Sequence, residues 1–156
     1  MSTLAATDFS DASVVVTGAG SGIGAALAKT FAQAGARVAL ADLNTAACAE
    51  VAAELRAGGA RAESFGVEVG DEASVHALAR QTEAALGPAT VICVNVAVLQ
   101  LGRLDERTRE ELEWQLRVNV VGSMDTIHAY LPQLRRVRSP LSPPGPCTPL
   151  HPRPPD

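Results

Sequence analysis

The most informative segment of the chain is Thr17-Gly18-Ala19-Gly20-Ser21-Gly22-Ile23-Gly24, in which every second residue after Thr17 is glycine. It directly follows a run of three valines at 14–16, which predicts a buried strand. Apolar residues then recur four apart at Ile23, Leu27 and Phe31, which predicts one face of a helix. A strand, a glycine turn and a helix in direct succession predict the opening unit of an α/β fold.

The spacing of these glycines predicts a turn that binds a pyrophosphate. Gly18 permits a tight turn, Gly22 lets the backbone approach the phosphates, and Gly24 lets the helix pack closely on the sheet. The amides at the start of the helix, around Ser21 and Ile23, would then hold the anion with help from the helix dipole. The alternative is a flexible glycine turn that binds nothing.

Strands and helices alternate along the rest of the chain. We expect strands over residues 14–17, 37–42, 61–67 and 91–94, and helices over 23–34, 45–57 and 71–86. Continuous apolar strands separated by crossover helices predict a parallel sheet with helices on both faces. Right-handed crossovers then favour a Rossmann-type, doubly wound sheet with strand order 3-2-1-4.

A long helix is predicted after Thr108. Thr108 and Glu111 have the spacing of a capping box, in which each side chain accepts from the other residue's amide. The predicted core-facing side of this helix is apolar and comprises Leu112, Leu116, Val120, Met124, Ile127 and Leu131.

Asp42 is the predicted acidic partner of the glycine turn. It ends the second strand, where a carboxylate would meet the ribose hydroxyls of an adenosine. A carboxylate repels a 2′-phosphate, and the following Leu43 and Asn44 supply no arginine to bind one. These residues favour NAD over NADP. The alternative is that Asp42 only begins the cap of the next helix.

From about Ser13 to about Arg136, the sequence resembles the short-chain dehydrogenase/reductase family. The resemblance is carried by the T-G-x-x-x-G-I-G spacing and by Asp42, Glu68-Val69, Asn95-Val96-Ala97-Val98 and Asn119 within Val-Asn-Val. It implies a nicotinamide cofactor, hydride transfer between that cofactor and an alcohol or carbonyl compound, and these cofactor-binding residues: Gly18, Ser21, Gly22, Ile23, Gly24, Asp42, Leu43, Glu68, Val69, Asn95 and Ala97.

Two family motifs are altered in this chain. Glu68 stands where the family has an aspartate that bonds the adenine amine. Val98 stands where the family has a glycine beside the nicotinamide ribose, and it adds bulk there. For Asn95, bonding to backbone groups at the strand end remains an alternative to cofactor contact.

The catalytic residues that the resemblance implies are incomplete. Asn119 resembles the family's helix asparagine, which supports a proton relay; bonding to its own backbone is the alternative. The family also uses a serine, and a tyrosine with a lysine four positions later. The only tyrosine, Tyr130, is followed at that position by Leu134, and the only lysine is Lys29 on the first helix. We therefore expect Tyr130 to be structural and the chain to be catalytically incomplete.

Composition excludes several other function classes. The 13 Lys+Arg against 17 Asp+Glu give a net charge of −4, which argues against nucleic acid or an anionic membrane as a partner. Three cysteines at 48, 93 and 147 form no CxxC pair, and His76, His128 and His151 form no metal motif, so we expect no metal. No secretory signal or membrane-length apolar run is evident, and we expect a cytoplasmic protein.

We predict three segments: a flexible N-terminus over residues 1–12, a dinucleotide-binding domain over 13–138, and a tail over 139–156. The tail holds eight of the ten prolines, which predicts disorder or polyproline II and a truncated family fold. Three functions remain open: an inactive truncated enzyme, a non-catalytic dinucleotide-binding module, and an interaction protein that uses the tail. A homo-oligomer is also open, since the family often dimerises through its long helices.

Overall fold

The computed structural model describes residues 8–136, which form a parallel four-stranded sheet in the order β3-β2-β1-β4. The strands are β1 (Ser13–Thr17), β2 (Arg37–Asp42), β3 (Ala62–Gly66) and β4 (Val91–Cys93). The predicted strand order is confirmed, and β3 and β4 are shorter than predicted. Residues 1–7 of the predicted N-terminal segment and the whole predicted tail lie outside the described residues.

Helices cover both faces of this sheet. They are α1 (Gly22–Gln33), α2 (Thr45–Ala57), α3 (Glu72–Leu86), α4 (Arg109–Leu116) and α5 (Gly122–Arg136). A π-helical turn over Arg117–Val121 joins α4 to α5. One apolar core lies between the sheet and α1 and α2, and a second lies between the sheet and α3 and α5. This is the Rossmann-type, doubly wound arrangement that the sequence predicts.

Strand β1 lies at the centre of the molecule and is buried along its whole length. Val15 pairs with Ala39 of β2 on one side and with Ile92 of β4 on the other. Successive side chains point to opposite faces, so Val14 and Val16 enter the core with α1 and α2, and Val15 enters the other. A strand buried on both faces explains the uninterrupted run of valines.

The predicted core face of α1 is correct for two of its three residues. Leu27 and Phe31 pack against the core with α2, whereas Ile23 is 74% exposed. The buried residues of α1 are instead the small Gly24 and Ala28. Ile23 lies in the first turn of the helix and does not belong to this core.

The predicted capping box at the start of α4 is present. The Thr108 hydroxyl accepts from the Glu111 amide at 3.2 Å, and the Glu111 carboxylate accepts from the Thr108 amide at 3.0 Å. Two backbone donors that would otherwise lack partners are thereby satisfied.

The predicted apolar face of the long helix is wrong. Leu116 is 60% exposed and Met124 is 65% exposed, and Val120 and Ile127 are exposed as well. The buried side of the π-helical turn and α5 instead comprises Val118, Gly122, Thr126, Ala129, Tyr130 and Gln133. Half of these residues are polar, so hydrophobicity alone does not identify the face.

Hydrogen-bond partners on α3 and on the segment that follows it explain why this side is buried. The Tyr130 hydroxyl lies 2.9 Å from the Thr82 hydroxyl. Gln133 accepts from the Ala89 amide and donates to the Ala79 carbonyl, both at 2.8 Å. A polar group that keeps its hydrogen bonds can be buried at little cost. None of these partners is near α5 in sequence.

Candidate functional site

A cleft of about 480 Å³ opens at the carboxyl ends of the strands. Ten of the eleven predicted cofactor-binding residues line it, namely Gly18, Ser21, Gly22, Ile23, Asp42, Leu43, Glu68, Val69, Asn95 and Ala97. The eleventh, Gly24, lies beneath the turn. In open parallel sheets this edge is where ligands bind, at the point where the strand order reverses.

The three glycines singled out from the sequence occupy three different environments. Gly18 has φ +68° and Gly22 has φ +52°, a region that residues with a side chain rarely adopt. A Cβ at Gly22 would meet no atom within 4 Å, so the backbone there is open to approach. A Cβ at Gly24 would overlap the Gly18 carbonyl oxygen. The turn can close on α1 only if residue 24 has no side chain.

The start of α1 differs from the starts of α2, α3 and α4. Asn44, Asp71 and Thr108 each cap their own helix by accepting a hydrogen bond from a backbone amide. Ser21 occupies the same position in α1, but its side chain makes no cap hydrogen bond, and the first turn contains no acidic residue. Helix geometry leaves the first amides without internal acceptors. Within residues 8–136 no side chain caps them, so they remain available to an anion.

The Asp42 carboxylate links the glycine turn to the end of β2. One oxygen accepts from the Gly20 amide at 2.8 Å and the other accepts from the Asn44 amide at 2.9 Å. The cap of α2 is Asn44, which accepts from the Ala47 amide at 3.2 Å. Asp42 therefore has a structural role in the turn and a position on the cleft wall.

Glu68 and Val69 follow β3 and differ in exposure. Val69 is 7% exposed and belongs to the core with α3 and α5. The Glu68 side chain is exposed, while its amide donates to the Ser74 hydroxyl at 3.0 Å. This hydrogen bond holds the backbone of the loop, and Glu68 lines the cleft.

Asn95 fastens the end of β4 to the glycine turn. Its side-chain amide donates to the Gly18 carbonyl at 3.4 Å, and its backbone amide donates to the Thr17 hydroxyl at 3.1 Å. These contacts correspond to the alternative in which Asn95 satisfies backbone groups at the strand end. The exposed Ala97 follows two residues later on the cleft wall.

Asn119 lies in the π-helical turn and bonds the segment after β4. Its side-chain oxygen accepts from the Val98 amide, and its side-chain nitrogen donates to the Val98 carbonyl, both at 2.8 Å. The partner of the Asn119 side chain is therefore Val98. The alternative, in which this side chain bonds the backbone of its own helix, is not observed among these hydrogen bonds. Its own carbonyl accepts from the Ser123 hydroxyl at 2.9 Å.

The family model for short chain dehydrogenases matches residues 12–139 of this sequence. The chain belongs to the short-chain dehydrogenase family. A relative, 2,3-dihydro-2,3-dihydroxybenzoate dehydrogenase from Bacillus subtilis, is 38% identical over 108 residues, which are 69% of this chain and 41% of that protein. This chain spans 21% to 42% of the length of relatives of this kind.

Solved structures of the family share the fold. A short-chain dehydrogenase/reductase from Burkholderia phymatum in complex with NAD has a TM-score of 0.77 and 33% identity, with 81% of this chain and 44% of that chain covered. An alcohol dehydrogenase from the archaeon Thermococcus sibiricus, complexed with 5-hydroxy-NADP, has a TM-score of 0.77 and 28% identity, with coverages of 80% and 54%. Structures similar to this chain have thus been solved with NAD and with an NADP derivative.

Tyr130 and Lys29 do not face the cleft in this short-chain dehydrogenase chain. Tyr130 is fully buried between α5 and α3. Burial raises the pKa of its hydroxyl to about 12, which the hydrogen bond with Thr82 partly offsets. Lys29 lies on α1 and pairs with Glu54 at 2.8 Å on the surface. Their positions agree with the expectation that Tyr130 is structural.

The other titratable residues considered from the sequence lie apart from the cleft. The rings of His76 on α3 and His128 on α5 are neighbours, with centroids 6.4 Å apart, which sequence spacing does not indicate. Burial raises the pKa of the Cys48 thiol to about 11. Residues 8–136 contain no cluster of three potential metal ligands and no helix long and apolar enough to cross a membrane. Cys147 and His151 are outside the described residues.

Sequence reasoning missed several residues of the cleft wall. These are Gly70, Trp114 and Val118. Val67, Val96 and Val98 also line the cleft, and of these Val98 was expected from the resemblance to lie beside the nicotinamide ribose. Trp114 and Val118 are four residues apart, and Val118 immediately precedes Asn119. This spacing is the signal in the sequence that could have placed the two side chains on one helix face.

Proposed function

We propose that this chain binds a nicotinamide dinucleotide in the cleft, with the diphosphate on the amides of the first turn of α1. The uncapped start of α1 carries this proposal, because α2, α3 and α4 each satisfy a first-turn amide with their own N-cap side chain, whereas no side chain of residues 8–136 caps α1. The open space above Gly22 lets phosphate oxygens reach these donors. The volume of about 480 Å³ is within the range of small-molecule sites.

The carboxyl end of β2 would hold the adenosine ribose. Asp42 lies on the cleft wall, and its oxygens keep lone pairs beyond those used by the Gly20 and Asn44 amides. A carboxylate here accepts from ribose hydroxyls and repels a 2′-phosphate. Neither Leu43 nor Asn44 offers a positive charge. We infer a preference for NAD over NADP.

The other residues predicted from the resemblance are proposed to contact the remaining parts of the cofactor. Glu68 and Val69, after β3, are proposed to hold the adenine. Asn95 and Ala97, after β4, are proposed to border the nicotinamide ribose, where the Val98 side chain narrows the cleft. Asn119 would support this half by holding the Val98 backbone in place.

A bound nicotinamide ring supplies hydride transfer, which in this family has an alcohol or carbonyl partner. The general acid or base of that reaction would have to reach the cleft, and Tyr130 is buried on the other side of α5. We therefore propose that residues 8–136 act as a dinucleotide-binding unit. Hydride transfer by the protein needs a proton donor from outside these residues.

Isothermal titration of the full chain with NAD, NADP and ADP-ribose tests this proposal. We expect saturable 1:1 binding of NAD and ADP-ribose, and weaker binding of NADP. The Gly22→Ala variant should bind NAD about tenfold or more weakly, since a methyl group would shield the phosphate-binding amides.

Gly59→Ala is the matched control for Gly22→Ala. Gly59 also has positive φ, at +86°, and a Cβ there would meet no atom within 4 Å. The two variants share the backbone strain but only one lies at the cleft. Equal NAD affinities for Gly22→Ala, Gly59→Ala and the wild-type chain would contradict the proposal, as would the absence of NAD binding at millimolar concentration.

A further inference from the structure

Trp114 is the only tryptophan of the chain and lies at the rim of the cleft. The capping box at Thr108 and Glu111 holds the start of the helix that carries it. The residue is 45% exposed, so a large part of the indole surface is not covered by the described residues. An aromatic side chain of this size in a cleft wall favours contact with a flat apolar ligand.

The helix places Trp114 on the β3 side of the cleft. Residues four apart lie on one face of a helix, so Trp114 is aligned with Val118. A Cβ at Gly70 would lie 3.7 Å from the Val118 side chain, so Val118 packs beside the loop after β3. Asn119 points the other way, toward Val98 after β4.

We propose that Trp114 stacks on the adenine base of the dinucleotide, an inference that rests on the proposed function. Asp42 ends β2 and marks the adenosine ribose, so the adenine lies on the side of the neighbouring strand β3. The wall on that side includes the buried, apolar Val69 and Val118, beside the exposed Glu68. A purine has two flat faces that stack well on an indole.

Fluorescence gives a direct test, because all tryptophan emission of this chain comes from Trp114. The full chain is titrated with AMP, ADP-ribose, NAD and nicotinamide mononucleotide. We expect the three ligands with adenine to change the emission saturably and nicotinamide mononucleotide to leave it unchanged. A response to nicotinamide mononucleotide that equals the response to AMP would overturn the assignment to adenine.

Calorimetry of two variants completes the test. Trp114→Ala should weaken AMP and NAD binding about tenfold, which is typical for the loss of one base–aromatic stack. Trp114→Phe should retain most of the affinity, since a smaller aromatic ring still stacks. Leu116→Ala is the control, because Leu116 is exposed on the same helix and does not line the cleft.

The outcomes separate this inference from the proposed function. If NAD binds to Trp114→Ala with wild-type affinity, the role of Trp114 is wrong and cofactor binding stands. If no nucleotide binds to the wild-type chain, the proposed function fails, and the inference fails with it. If Trp114→Ala does not fold, as judged by circular dichroism, the wild-type emission response and the affinity of Trp114→Phe decide whether Trp114 stacks on adenine.

Discussion

The two halves of the cleft use their polar groups in opposite ways. In the half formed by the glycine turn and β2, the first amides of α1 have no cap and remain available. In the half after β4, Asn95 and Asn119 are bonded to the backbone at Gly18 and Val98. Among residues 8–136, the first half has backbone donors without a side-chain acceptor, whereas the second uses its polar side chains to hold a loop. Polar groups at one sheet edge therefore need not have the same role.

The largest loss of stability and of NAD binding is expected at Gly24, where the two halves of the cleft meet. In Gly24→Ala the new methyl group would overlap the Gly18 carbonyl and lie 2.8 Å from the Asn95 side-chain nitrogen. We expect a loss of about 1–3 kcal/mol in the free energy of unfolding, as for other overpacked sites, together with loss of NAD binding. Chemical denaturation and calorimetry measure both.

Gly58→Ala is the control for that variant. Gly58 has φ −80° at the end of α2, and a Cβ there would make only ordinary contacts. A Gly24→Ala protein with the stability and NAD affinity of Gly58→Ala would show that the turn does not need its close contact with α1.

The next largest effect is expected for Asp42→Asn, in the ligand-binding half. Asparagine has one side-chain acceptor, so it cannot serve both the Gly20 and the Asn44 amides. We expect about 1–2 kcal/mol lower stability from the unsatisfied amide, and about tenfold weaker NAD binding. The ratio of NADP to NAD affinity should rise, because the negative charge is removed. An unchanged ratio in parallel titrations would contradict the role of Asp42 in cofactor choice.

Asn119→Ala tests the other half and should separate stability from binding. It removes both hydrogen bonds to Val98, which is expected to lower the free energy of unfolding by about 1–2 kcal/mol. ADP-ribose, which lacks nicotinamide, should keep its wild-type affinity by calorimetry. A loss of ADP-ribose affinity equal to that of Asp42→Asn would mean that the two halves act as one unit.

The smallest loss of stability is expected for Tyr130→Phe, because Tyr130 is buried between α5 and α3 and does not line the cleft. Loss of the hydrogen bond to Thr82 should cost about 1 kcal/mol at neutral pH. The folded-state pKa of Tyr130 is raised to about 12 from the usual 10. Between these values the unfolded chain has lost the proton and the folded chain has kept it, so the wild-type protein loses stability as pH rises. Tyr130→Phe should lack this pH-dependent loss of stability, which denaturation curves recorded from pH 9 to pH 12 would show.

Local sequence features predicted much of the fold. The glycine turn, the alternating elements and the Thr108 capping box depend on residues close together in the chain, and the structure contains all three. The buried side of α5 could not be predicted in this way. Tyr130 and Gln133 are buried because their partners, Thr82 and Ala79, approach from α3, about fifty residues earlier.

The candidate site was predictable to a similar extent. The turn and Asp42 were identified from spacing, but the bond between Asp42 and the Gly20 amide depends on how β2 lies beside the turn. The position of Trp114 in the cleft depends on a change of helix type between α4 and α5, which no residue pattern indicates. Hydrophobic spacing assigned the wrong face of α5, because the buried face there includes the polar Thr126 and Gln133.

The π-helical turn over Arg117–Val121 has a consequence for how this segment tolerates length changes. A turn of this type accommodates one residue more than the regular helix around it. Each residue of a helix advances the facing direction by about 100°. An in-frame deletion of a single codon within this turn would therefore restore a regular helix in which Trp114 keeps its direction relative to Tyr130. The deletion of one residue between Trp114 and the turn, in the regular part of α4, would instead rotate Trp114 by about 100° and re-aim the rim of the cleft.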